Sequence, residues 1–131
     1  MIGIFVTDIH KMVAFYRDVL GFEIEWDGKG PYVEFKYDGV RFSMYERTQL
    51  PTLLGQTPTY PGGLNGTFEL AIDFPTSAVA DRKYERVTQA GAISIYAPRD
   101  EPRGTHSSMV ADLEGNIIEI GSLDRSTKDT S

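Results

Sequence analysis

The chain has 131 residues, with 13 Lys or Arg against 19 Asp or Glu, a formal net charge of −6, two histidines and no cysteine. That length predicts one domain able to bury a core without staples, and the absence of cysteine excludes thiolate zinc sites, iron–sulfur clusters and thiol nucleophiles. The acidic balance argues against nucleic acid as a partner. No apolar run is long enough for a bilayer, and the first residues lack a signal peptide's pattern, so a cytoplasmic protein off the membrane is expected.

Ile2, Ile4 and Val6 alternate with Met1, Gly3 and Phe5, the period of a half-buried strand. Asp8 stands at an N-cap position, and the apolar spacing then changes to that of a helix: Ile9, Met12, Val13, Tyr16, Val19, Leu20, closed by Gly21. Three strands are expected at Phe22 to Trp26, Tyr32 to Tyr37 and Val40 to Glu46, the last two joined by the hairpin signal Asp38-Gly39. Residues 48–66 read as a long connection carrying Pro51, Pro58 and Pro61, able to fold over a cavity mouth as a lid. Within it, Asn65-Gly66-Thr67 reads as a turn rather than a glycosylation acceptor.

The pattern then restarts. Leu70, Ile72 and Phe74 alternate along a strand, and Thr76 or Ser77 caps a helix that buries Ala80, Tyr84 and Val87 before Gly91. Strands are expected at Ala92 to Ala97, Thr105 to Asp112 and Asn116 to Leu123, with a turn at Glu114-Gly115 and a polar tail over 124–131. The chain is therefore one βαβββ unit written twice: module one spans 1–47 and module two 67–123. Ile2, Ile4 and Val6 align with Leu70, Ile72 and Phe74, Gly21 with Gly91, and Gly39 with Gly115. The expected class is α+β, with one helix covering one face of each sheet.

The runs Val6-Thr7-Asp8-Ile9 with Phe15-Tyr16-Arg17-Asp18-Val19-Leu20-Gly21-Phe22, and Asp112-Leu113-Glu114-Gly115-Asn116-Ile117-Ile118-Glu119-Ile120, resemble the opening and closing signatures of the vicinal oxygen chelate superfamily. This glyoxalase/bleomycin resistance protein/dioxygenase resemblance implies two tandem βαβββ modules as a single domain, with sheets curving round a cavity, and a homodimer. In its metal-dependent members each module supplies two ligands, and the matching positions here are Met1, Ser43, Glu69 and Glu119. Two of the four have lost the family's His, Glu or Gln. No cofactor is therefore expected; a divalent metal, if bound, would rest on Glu69 and Glu119, two carboxylates that suit weak magnesium or manganese binding.

Strand alternation assigns the faces. With the aliphatic positions toward the helices, the opposite faces carry Gly3, Phe5, Arg41, Ser43, Tyr45, Glu69, Ala71, Asp73, Glu119 and Gly121. Such a mixture of aromatic, small and charged residues suits a cavity better than a packed layer. Trp26, Tyr32, Glu34 and Lys36 would extend it, and His106 lies on a bordering strand, whereas His10 reads as a surface residue. The expected ligand-binding set is Phe5, Trp26, Tyr32, Arg41, Ser43, Tyr45, Glu69, Asp73 and His106; a plain ion pair of Glu69 or Glu119 with Arg41 or Lys36 is the competing reading.

Three functions fit. The first is a metal-free binder of a small aromatic or cationic molecule, resembling the family's drug-binding resistance proteins. The second is a metal-dependent lyase, isomerase or dioxygenase resembling glyoxalase I, with Glu119 as the catalytic group. The third is an accessory module for protein association. The binder is preferred because half the metal-ligand positions are missing.

Overall fold

In each half of the chain the first strand lies parallel to, and hydrogen-bonded with, the last strand of the same half. The computed structural model describes residues 1–102 and 104–124, and the chain divides into two compact units, Met1–Pro61 and Gly62–Ser131. In the first unit β1 (Ile2–Val6) pairs with β3 (Val40–Glu46), which pairs antiparallel with β2 (Tyr32–Tyr37), giving the order β1-β3-β2. In the second unit β4 (Asn65–Phe74) pairs with β7 (Asn116–Ser122), then β6 (His106–Ala111) and β5 (Ile93–Asp100) follow. The register repeats with the sequence alignment: Ile2 faces Phe42 as Leu70 faces Ile118, and Ile4 faces Met44 as Ile72 faces Ile120. The α+β class and the doubled module are thus present in the structure. Parallel pairing needs a crossover, and a helix supplies it in both units.

In the first unit, α1 (Ile9–Ala14) starts where the Asp8 carboxylate accepts from the Lys11 amide at 3.1 Å. The helix then widens into a π turn over Phe15–Val19. The extra residue of that turn rotates Phe15 into the core and leaves Val19 half-buried, where a uniform 3.6 period had put Val19 inside. The core of this unit packs Ile4, Val6, Met12, Val13, Tyr16, Phe35, Phe42 and Met44.

The strand expected at Phe22 to Trp26 is the main departure. Phe22 and Ile24 are buried and Glu23 and Glu25 exposed, as alternation requires, yet the segment joins no ladder. Its first amide is taken by the helix, Phe22 N–H donating to the Tyr16 carbonyl at 2.9 Å. The Phe22 ring then stacks on Tyr37 at 4.3 Å and meets Phe35 and Phe42 edge-on. Side-chain packing, not strand pairing, holds it in place. The long connection is also more ordered than its composition suggests: Leu50, 1% exposed, anchors α2 (Leu50–Leu54), and Pro51 sits in the first turn, where no amide is needed.

In the second unit α3 (Ser77–Gln89) is capped by Thr76, buries Ala80 and Val87, and packs across all four strands. Tyr84, expected inside, is only half-buried, because its hydroxyl lies 2.6 Å from Ser94 Oγ. The closing turn is a buried polar lock. Asp112, 1% exposed, accepts from the amides of Glu114 and Asn116 and from the Asn116 side chain, which in turn accepts from Asn65 at 3.2 Å. Asn65 also accepts from the Thr67 amide at 3.0 Å, so Asn65-Gly66-Thr67 forms a side-chain-closed turn inside the β4 bulge. The polar tail falls, from residue 125 on, outside the described residues. Among those described, no helix is long and apolar enough to cross a membrane.

Gly115 and Gly39 occupy equivalent turns at φ +86° and +80°, but a Cβ at 115 would overlap the Gly63 carbonyl whereas one at 39 meets open space. Gly39→Ala is expected to cost about 1–2 kcal/mol, the left-handed penalty alone. Gly115→Ala should lower urea-unfolding stability by clearly more; equal losses would show that the Gly63 contact is unimportant.

Candidate functional site

On the first unit's outer sheet face the register sets Phe5 beside Tyr45 and Tyr45 beside Tyr32, one row of three rings. Tyr32 and Tyr45 meet edge-on at 5.8 Å, and Phe5 and Tyr32 are 47% and 41% exposed. The next row is Gly3, Ser43 and Glu34. Ser43 is buried there, and a Cβ at position 3 would come within 3.3 Å of its Oγ. Arg41 Nη2 donates to Glu34 Oε1 at 2.7 Å and the Tyr32 hydroxyl donates to Oε2 at 3.0 Å. These bonds, Arg41's foremost, hold the Glu34 carboxyl below the usual range, while desolvation and then Glu34 push the Tyr32 phenol up. The face therefore couples exposed rings to an internally neutralised ion pair.

Trp26 does not join that row. Its indole N–H donates to the Lys29 carbonyl at 3.2 Å and its ring lies 5.0 Å from His10, whose Nε2 is 2.9 Å from the Gly28 carbonyl. Expecting a strand at 22–26 put Trp26 on the sheet; without a ladder the chain carries it to the helix.

The second unit presents a cavity of about 360 Å³ lined by Glu69, Asp73, Glu119, Gly121, Thr105, His106, Ser107 and Ser122. The sheet explains the gathering: Ala71 faces Glu119, Asp73 faces Gly121, and β6 adds Met109 beside Glu119 and Ser107 beside Gly121. Gly121 supplies space. A Cβ there would stand 3.4 Å from Asp73 Oδ1, in contact with the carboxylate that borders the cavity.

His106 also lines this cavity. Its imidazole is 16% exposed and lies between two carboxylates, Asp100 Oδ1 at 2.9 Å from Nδ1 and Asp81 Oδ1 at 2.7 Å from Nε2. Two carboxylates facing both ring nitrogens favour the doubly protonated ring, and the hydrogen bond to Asp100 leads the causes that raise its pKa above 6.5. The clamp joins α3, β5 and β6.

Sequence reasoning missed Thr105, Ser107 and Ser122, and also Tyr96, whose hydroxyl is 3.1 Å from Ser107 Oγ. Period-two alternation would have placed Ser107 opposite His106. Tyr96 gave no such signal, because register shifts on both sides of it break the alternation of β5.

The donor set does not fit a transition metal. At the four ligand positions implied by the resemblance, the first unit offers a thioether and a hydroxyl, and the Arg41 guanidinium lies 3.8 Å from Met1 Sδ, a cation where a cation would bind. The second unit offers Glu69 and Glu119, and no group of three or more metal-binding side chains converges among the described residues.

The chain belongs to the Glyoxalase/Bleomycin resistance protein/Dioxygenase superfamily, whose family model matches residues 1–120. No curated protein matches it. Among solved structures it is similar to a glyoxalase/bleomycin resistance protein/dioxygenase family enzyme from Burkholderia phytofirmans PsJN, at 24% identity and TM-score 0.79, covering 94% of this chain and 96% of that one. It is similar as well to lactoylglutathione lyase from Agrobacterium tumefaciens, at 20% identity and TM-score 0.71, covering 92% and 90%. A third is the genomically encoded fosfomycin resistance protein FosX from Listeria monocytogenes, at 17% identity and TM-score 0.68, covering 94% and 90%. At such identities the likeness establishes the fold, and this fold carries several chemistries.

The His106 clamp gives a signed prediction. A raised folded-state pKa contributes stability that is complete below pH 6.5 and disappears as pH rises through the folded value. His106→Asn should therefore cost about 1–3 kcal/mol at pH 5.5, with the gap to the parent narrowing by pH 9 in urea unfolding. A gap independent of pH would contradict the charged clamp.

Proposed function

We propose that the protein binds a small organic cation in the second unit's cavity, without a resident metal. The observation that carries this reading is the lining itself. Three carboxylates, Glu69, Asp73 and Glu119, border one cavity of about 360 Å³, and among the described residues no Lys or Arg lines it. Like charges gathered round a cavity repel one another and favour a cation that neutralises them. The ring row of Phe5, Tyr45 and Tyr32 is a separate surface suited to stacking a flat ligand. The family match, which spans residues of both units, supports reading the two modules as one functional domain.

A second reading is favoured by one observation, the placement of Glu69 and Glu119 on one face of the paired strands β4 and β7. In it the protein is a lyase, isomerase or dioxygenase, Glu119 abstracts or delivers a proton, and a hard divalent ion is required.

Titration calorimetry with butane-1,4-diamine and choline separates the readings. The parent should bind at least one of these cations saturably in the presence of a chelator, and Glu119→Gln should weaken it about tenfold, while Glu85→Gln on the exposed side of α3 changes nothing. Near-stoichiometric transition metal in purified protein, or cation binding indifferent to Glu119→Gln, would overturn the metal-free reading.

A further inference from the structure

Among the described residues, His106 is the only basic group in the lining of the second unit's cavity. It is also one of only two histidines in the chain, and histidine changes charge nearer neutrality than any other ordinary side chain. Its ring is gripped from two elements, Nε2 lying 2.7 Å from Asp81 Oδ1 on α3 and Nδ1 lying 2.9 Å from Asp100 Oδ1 at the end of β5. One side chain thus belongs both to the clamp and to the cavity wall.

The charged groups around it come from every neighbouring element. Asp81 faces it from α3 and Asp100 from β5, while Glu69 and Asp73 on β4 and Glu119 on β7 share the lining with it. Arg99 on β5 is turned to Glu101, its Nε donating at 3.1 Å. Lys83 on α3 is a second cation that titrates near neutrality, since burial foremost and then Arg86 bring its pKa down to about 8. The Asp100 bond first, and the Asp81 bond with it, outweigh desolvation and raise the His106 pKa above 6.5.

We propose that cation binding in this cavity is coupled to the His106 proton: a bound cation drives that proton into solvent, and its loss as pH rises tightens cation binding. The proposal rests on the cation-binding reading above and adds its regulation. When the ring gives up its proton, the wall loses its basic charge and keeps every carboxylate. A unit charge removed about 6 Å from a bound cation changes affinity by about three- to tenfold at effective dielectric constants of about 40–80. Linkage makes the effect reciprocal, so a gain of about threefold means that saturating ligand lowers the His106 midpoint by about half a pH unit. A neutral ring keeps one N–H and grips only one carboxylate. Were that loosening of the wall the stronger effect, affinity would fall with pH instead.

Titration calorimetry over pH 6–9, in the presence of a chelator, reads the coupling with choline, whose charge is fixed at every pH. Butane-1,4-diamine serves as a second probe up to pH 8.5. Affinity should rise about three- to tenfold across the range in the parent. The same rise should appear in Lys83→Arg, which keeps the α3 cation charged, and should be absent from His106→Asn. Proton NMR of the histidine rings keeps the test sound if His106→Asn perturbs folding. In the parent, saturating ligand should lower the His106 midpoint and leave the His10 signal, in the first unit, where it was. An affinity that is flat or falls with pH in the parent overturns the coupling and leaves the cation reading standing. So does a rise kept in His106→Asn or lost in Lys83→Arg, and so does an unmoved His106 midpoint. Failure of both cations to bind at any pH overturns the two together.

Discussion

Everything in this molecule follows from the parallel pairing of the first and last strands within each module. Parallel neighbours cannot be joined by a tight turn, so a helix must cross over, and it covers one face of the sheet. The pairing also fixes register: with Ile4 beside Met44 and Ile72 beside Ile120, all four turned into the core, the residues between them have only the opposite face to occupy. Glu119 and Asp73 border a cavity because Ile118, Ile120, Ile72 and Leu70 are buried. A one-residue slip in either pair would exchange the two sets.

The two copies have used the same freed face differently. In the first unit the charges cancel locally, Arg41 against Glu34 with Tyr32 completing the carboxylate's bonds, and aromatic rings are left exposed. In the second unit three carboxylates share one lining with the hydroxyls of Thr105, Ser107 and Ser122. The concentration of carboxylates on one wall is more readily explained by an incoming cation than by stability, since the helix-covered face already supplies the core. The His106 clamp sits at the edge of this wall and ties α3 to β5 and β6, so the cavity's border is held by a charged bond rather than by packing alone.

The sequence made the repeat, the faces and most of the core legible, because alternation and turn glycines are local signals. Glu69, Asp73 and Glu119 fell together on β4 and β7 for that reason. Where long-range packing decides, the signal failed. Phe22 and Ile24 alternate like a strand, but a ring cluster and an amide bonded to Tyr16 hold the segment outside the ladder, and Trp26 moves to His10 with it. The π turn at Phe15–Val19 broke the helical period, and the irregular β5 hid Tyr96. His106 was legible as a border residue, but its partners Asp81 and Asp100 lie on two other elements and left no pattern in the chain.

The most direct measurement is carbon-13 NMR of the side-chain carboxyls, titrated with butane-1,4-diamine in the presence of a chelator. The account predicts that the Glu69, Asp73 and Glu119 signals shift together along one saturable curve while the Glu34 carboxyl, already bound by Arg41, stays still. Carboxyl signals that remain unmoved until magnesium or manganese replaces the chelator would contradict it.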